Sequence, residues 1–287
     1  MSQLTRYSGI ALSLAYLLLI SFWKTMPIQV EWGFCIFLLA LLGIPHGAAD
    51  HLVSKCLAER ENKSFKLVNF MGYYVMVMLI YGIIWYYFPL FSFIVFIGIS
   101  IFHFGDLETT QTPTSKLFGI HYLIEICRAL ILGTGILGYI LSNHAQEVSS
   151  ILVNFKLGVQ IPFNGLPNRF YLICILLGYQ KEHQSFFINT GITLFIGSYL
   201  PILPAFICYF AGCHSVYSLR VLTSSLQVSL GQLYLKLLPF TTLAIVMGTA
   251  YVILVSPDKW LAHTFIFLSI LTLPHFFLMH QIIPKRP

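Results

Sequence analysis

Charge is what this chain has least of. Lys, Arg, Asp and Glu together make up 9% of its 287 residues, where a soluble domain carries about 25%. So few charges cannot cover a water-facing surface, which excludes an ordinary soluble globular protein. No polar stretch is long enough for a separate soluble domain, so residues 1–287 are expected to form a single integral membrane domain. There is no C-x-x-C pair among the six cysteines (Cys35, Cys56, Cys127, Cys174, Cys208, Cys213), and all but Cys56 lie in apolar runs. They read as small packing residues rather than disulfides or metal ligands. No dense basic patch accompanies the net charge of +6. The cations sit between apolar runs, where they meet lipid headgroups, and nucleic-acid binding is excluded. No small-residue cleavage site follows the first apolar run, Tyr7–Trp23; Lys24, Met26 and Pro27 come instead, so a retained span is expected. Internal repeats and low-complexity tracts are also missing.

What the chain has in abundance is apolar sequence, with 57% hydrophobic residues and a mean hydropathy of +0.82. A membrane span needs about 20 mostly apolar residues. Candidate runs are Tyr7–Trp23, Gly33–Val53, Val68–Phe88, Leu90–Gly105, Leu117–Leu141, Arg169–Gly178, Phe186–Leu200, Ile202–Leu219, Leu237–Val255 and Ala262–Ile283. The expected fold is all-α, a polytopic transmembrane bundle of about eight to ten helices, ten being the working number. Arg169–Gly178 is short for a span. Pro201 and Pro204 mark either a tight turn between two spans or a kink in one. Glu59–Lys66 and Thr109–Ser115 read as polar turns, and Ser142–Gly165 as a region able to hold an interfacial segment.

Ten spans with the N-terminus inside put Arg6, Lys55, Arg60, Lys63, Lys66, Lys116, Lys181, Arg220, Lys236, Lys285 and Arg286 in the cytoplasm. Lys24, Lys156, Arg169 and Lys259 fall outside, and Arg128 lies within a span beside Glu125 as a buried ion pair. The imbalance obeys the positive-inside rule, so a multi-pass protein of the cell's inner membrane with both termini cytoplasmic is expected.

Ten histidines in so apolar a chain are the informative feature. Ionisable groups within spans are unfavourable and face the bundle interior. His46, His103, His214 and His275 lie deep in apolar runs on the second, fourth, eighth and tenth candidate spans, all running from outside to inside. Each sits about 12 or 13 residues from the outer end of its run, so a rise of about 1.5 Å per residue puts all four near 20 Å depth. A shared layer of imidazoles suits iron, copper or zinc, and bundle cores are where facing helices build such sites. A lone membrane histidine is more often a partner in an interhelical hydrogen bond, so each of the four has that competing reading. His51 and His280 follow His46 and His275 by five residues, about 140° around a helix, which places them beside the site or at the surface. No histidine pair has the i, i+4 spacing of a shared helical metal site. His121, His144, His183 and His263, near loops or run ends, read as ordinary polar contacts.

Asp50 follows His46 by four residues and Asp106 follows His103 by three, so each acid shares the face of its histidine. Metal-bound histidines commonly donate their second N–H to a carboxylate, and the two acids are placed for it; marking the interface is the competing reading. Gly43, Gly47, Gly98, Gly105 and Gly212 flank these histidines and would let helices approach. Tyr73, Tyr74, Tyr86 and Tyr87 read as packing and interface residues, and the 25 Phe as either tunnel lining or ordinary membrane packing.

The stretch Gly43-Ile44-Pro45-His46-Gly47-Ala48-Ala49-Asp50-His51 resembles the Pro-His-Gly-x-x-Asp-His signature of the Brp/Blh family of membrane carotene dioxygenases. Phe102-His103-Phe104-Gly105-Asp106 is similar to that family's His-Phe-Gly motif with its following acid. Cys213-His214-Ser215 and Leu273-Pro274-His275 resemble its His-Ser and C-terminal Pro-His motifs, in the same order along the chain. The resemblance implies a multi-helix membrane enzyme in which Fe(2+) and dioxygen serve to split β-carotene at its central 15,15′ double bond into two retinals. It passes the iron-binding role to His46, His103 and His214. One departure stands out: the family's third motif reads His-Ser-x-x-His, and here Ser218 occupies the second histidine position. A serine hydroxyl is a poor iron ligand. Either His275 completes the site with Ser218 beside it, or three histidines suffice, or this member has lapsed in activity. The carotenoid would enter from lipid, and retinal would leave into the membrane or to an opsin-like partner. A proton- or metal-coupled binding or transport protein and a haem protein with paired axial histidines are the alternatives.

Overall fold

A computed structural model describes residues 6–23, 26–109, 120–154, 166–256 and 259–282. Among the described residues every regular element is helical. In chain order they are α1 (Ser8–Ser21), α2 (Ile28–Arg60), α3 (Leu67–Tyr87), α4 (Pro89–Thr109), α5 (Ile120–Asn143), α6 (Ala145–Asn154), α7 (Asn168–Leu177), α8 (Gln184–Gly197), α9 (Ile202–Leu226), α10 (Leu230–Ile253) and α11 (Trp260–Ile282). Among the described residues, each of the ten apolar runs is helical over most of its length. Seven helices among the described residues (α2, α3, α4, α5, α9, α10 and α11) are long and apolar enough to cross a membrane, which makes this a polytopic membrane bundle. Three of the expected spans form shorter helices: α1 and α8 have 14 residues each and α7 has 10. At 1.5 Å per residue the longest of these covers about 21 Å, short of a hydrocarbon core of about 30 Å.

The Pro201 junction is a tight turn. α8 ends at Gly197, Pro201 takes an extended conformation, and α9 begins at Ile202. The first N–H groups of a helix have no partner within it. Glu147 of α6 supplies one here, accepting from the Ile202 N–H at 3.1 Å. Asn189 of α8 does the same for α1, accepting from the Ile10 N–H at 3.1 Å. The region Ser142–Gly165 holds α6 over its first part, and Thr110–Ser115 lies outside the described residues.

Glycine sets the closest contacts. Gly105 of α4 lies against the Ala129 backbone, and Gly133 of α5 lies against the Ile101 backbone; a Cβ at either would collide with a main-chain carbonyl. Small residues let membrane helices pack backbone to backbone where no hydrophobic force drives them together. Gly212 meets Gly9 of α1 in the same manner, and Gly43 meets Phe210. Gly47 and Gly98 face open space instead and close no interface. A polar chain ties α3 to its neighbours: Trp85 Nε1 donates to Ser269 Oγ at 3.0 Å, Ser269 donates to Tyr81 at 3.2 Å, and Tyr81 donates to the Ser92 carbonyl at 2.9 Å. All six cysteines are free thiols, and Cys35, Cys174, Cys208 and Cys213 are buried.

Candidate metal centre

Two of the long helices change pitch where they carry a histidine. α2 widens into a π turn over Leu39–Gly43, just before His46, and α9 does so over Phe210–Ser215, which includes His214. Such turns insert one residue into the hydrogen-bond ladder and re-aim the side chains that follow, often at functional sites. The two turns face each other through Gly43 and Phe210. Pro45 has no N–H to offer the carbonyl of Leu41, and the Tyr234 hydroxyl of α10 donates to that carbonyl at 2.7 Å.

The four deep histidines meet. All are buried, with 3%, 7%, 0% and 5% of His46, His103, His214 and His275 exposed. The His46 ring centroid lies 4.5 Å from His275, 5.1 Å from His214 and 6.0 Å from His103. His103 lies 5.0 Å from both His214 and His275. One ring nitrogen from each of His46, His103 and His275 falls within 4.8 Å of the other two, a group that can hold a metal ion. His214 adjoins this group, stacked on Phe210 at 5.9 Å. Family motifs alone favour His214 over His275, whereas the geometry puts His275 in the tightest set.

The donor set fits a transition metal. Neither nitrogen of His46 has a hydrogen-bond partner, and His275 Nε2 has none. Buried polar atoms left unpaired are rare, and in a cluster of imidazoles a cation is the partner that would satisfy them. The other nitrogen of His275, Nδ1, lies 2.7 Å from Asp50 Oδ1. Tyr74 donates its hydroxyl to Asp50 Oδ2 at 2.9 Å. Asp50 therefore supports His275 on α11 rather than His46, its neighbour in sequence. The cause is local: the helix is interrupted at Ala49, between His46 and Asp50, so the i, i+4 alignment does not hold across the break. Asp106 is buried one turn beyond His103.

The remaining candidates fall outside the cluster. His51 Nδ1 lies 2.9 Å from the Ala48 carbonyl, and its ring packs on Phe240 at 4.2 Å. Ser218 is fully buried, and its hydroxyl has no hydrogen-bond partner. His144 contacts the carbonyls of Ile140 and Leu200 at 2.7 and 2.8 Å, and His263 contacts Tyr251 at 2.7 Å, the ordinary polar roles expected of them. The side chains of His121 and His280 lie outside the described residues. Glu125 and Arg128 form the expected ion pair at 2.7 Å. Tyr74, expected as a packing and interface residue, instead holds Asp50; nothing in the local pattern of α3 distinguishes it from Tyr73.

An apolar cavity of about 180 Å³ runs up to these histidines. His46, His103, His275, Asp50, His51 and Tyr74 supply most of its polar lining; Phe, Met and Leu side chains supply much of the rest. On α3 and α10 its lining includes Val75, Leu243 and Met247, which are 42%, 47% and 45% exposed on the apolar outer surface of the bundle.

A family model described as Beta-carotene 15,15'-dioxygenase matches residues 37–282, from just before the first π turn to the end of α11. The chain belongs to this family. It is also similar to a Beta-carotene 15,15'-dioxygenase from an uncultured marine bacterium 66A03, with 25% identity over 268 residues, covering 87% of this chain and 93% of that protein. No solved structure matches. Membership agrees with the resemblance carried by the histidine motifs, and all four of those motifs fall within the matched residues.

Proposed function

We propose that this chain is an iron-dependent dioxygenase that cleaves β-carotene at its central 15,15′ double bond to give two retinals. The observation that carries the reading is the buried His46, His103 and His275 group, with both nitrogens of His46 and Nε2 of His275 unpaired, on the wall of an apolar cavity inside a membrane bundle. β-Carotene and one dioxygen together account for every atom of two retinals, so no further reductant or proton source is required. His46, His103 and His275 would hold Fe(2+), with His214 as a fourth ligand. When bound, the iron supplies the activation of dioxygen that an apolar protein interior cannot supply by itself.

The chain's own residues do the rest. Asp50 accepts the Nδ1 proton of His275, which fixes the tautomer and leaves Nε2 with its lone pair toward the cluster. Tyr74 holds the carboxylate in place from α3. The apolar walls hold the polyene and keep water from the reacting bond. The partly exposed Val75, Leu243 and Met247 support an entry between α3 and α10, by which substrate arrives from lipid and retinal returns to it. With the histidine layer toward the cytoplasmic leaflet, the multi-pass bundle sits in the inner membrane with Lys55, Arg60 and Lys66 on the cytoplasmic side.

The test is purified protein in lipid nanodiscs with Fe(II), air and β-carotene, with products separated by chromatography. Retinal as the main aldehyde supports central cleavage; longer aldehydes would move the bond, and no aldehyde at all would reject the activity.

A further inference from the structure

The histidine cluster stands beside a wall that separates two apolar cavities, not one. On the far side of the wall lies a smaller cavity of about 40 Å³, lined by α4, α5, α6, α9 and α11. The two cavities share Phe96, Ser100, Phe104 and Phe206, so a single layer of side chains divides them. That layer touches the site directly: the Phe104 ring lies 4.9 Å from His214 and 6.4 Å from Phe206. Phe206 in turn stacks on Phe210 at 5.6 Å, and Phe210 stacks on His214. Beyond the wall the lining is apolar throughout, and its far end is closed by Leu137, Ile140, Val148 and Leu152.

A substrate whose reacting bond is at its middle must extend in two directions from that bond. The larger cavity, open toward lipid, provides one direction. We propose that the smaller cavity is the closed arm that receives the second half of the polyene, and that Phe206 and Leu152 set how much of it is accepted. The inference rests on the carotenoid reading above. At about 40 Å³ the arm is too small for a terminal ring with the aromatic wall in its present position, so Phe96 and Phe206 must swing aside as the chain enters. Aromatic side chains turn about two torsions and leave no unpaired polar group when they move, which suits them to this role.

The experiment is binding to metal-depleted protein in nanodiscs, read from the visible absorption of the polyene. The ligands are β-carotene and a shorter polyene aldehyde carrying one terminal ring. Leu152→Trp fills the closed arm. It is expected to weaken β-carotene binding about tenfold or more while leaving the shorter polyene within about twofold, the scale set by shape mismatch in an apolar pocket. Leu152→Ala enlarges the same end and must shift the ratio in the opposite direction, so a filled variant that fails to fold does not remove the test. Equal effects on both ligands, or none on either, overturn the proposal. Because the readout needs neither iron nor turnover, a wild type that makes no aldehyde yet shows this length discrimination would fail the dioxygenase reading and keep the closed arm.

Discussion

His275 and Asp50 are joined by a 2.7 Å hydrogen bond although 225 residues separate them. One lies near the end of α11 and the other where α2 resumes after its break at Ala49. The bond sets the orientation of one histidine of the cluster from outside it, and Tyr74 continues the chain into α3. Three helices are thereby committed to the position of a single imidazole.

Replacing Asp50 by Asn keeps the shape and removes the charge. Partners of this kind typically account for about 10- to 100-fold in metal affinity. Asp50→Asn should therefore weaken iron binding by about that factor, measured by titrating Fe(II) into chelator-treated protein. An unchanged affinity would reduce the bond to a helix-packing contact.

Tyr74→Phe removes one donor from the same carboxylate and leaves the bond to His275. A hydrogen bond to a charged group contributes about 1.5–3 kcal/mol. The expected outcome is a lower thermal midpoint and a loss of iron affinity smaller than that of Asp50→Asn.

Ser218 offers a contrast. Its hydroxyl is buried without a hydrogen-bond partner, so removing it deletes no interaction. Ser218→Ala should keep metal content and turnover close to wild type. Ser218→His, which restores the residue type at that position of the family motif, adds bulk to a fully buried site and should destabilise by about 1–3 kcal/mol through overpacking. Thermal unfolding in detergent, together with iron content, checks both variants.

The helix contacts make their own prediction. Gly105→Ala drives a methyl group into the Ala129 backbone, whereas Gly98→Ala points into open space. The first should lower the thermal midpoint by several degrees or prevent folding, and the second should leave it unchanged.

Much of this architecture was legible in the sequence, for reasons that can be stated residue by residue. The apolar runs marked the helices because lipid tolerates little else. Counting residues from their outer ends brought His46, His103, His214 and His275 to one depth, and the rings do adjoin. The bond between Asp50 and His275 was not legible, because a break at Ala49 leaves no mark in a pattern that assumes a regular helix. Tyr74 and the shared wall of Phe104 and Phe206 were equally hidden, since both depend on which helices become neighbours. The shortness of α7 is already visible in the run Arg169–Gly178, whereas that of α1 and α8 shows only in the structure.

The central claim is that His46, His103 and His275 bind one ion, and metal content tests it most directly. Wild type, His46→Ala and His214→Ala would be reconstituted with Fe(II), freed of excess metal and measured for iron by mass spectrometry. Wild type should retain about one iron per chain, His46→Ala should retain almost none, and His214→Ala should fall between them. Equal iron in wild type and His46→Ala, or none in a folded wild type, would contradict the account.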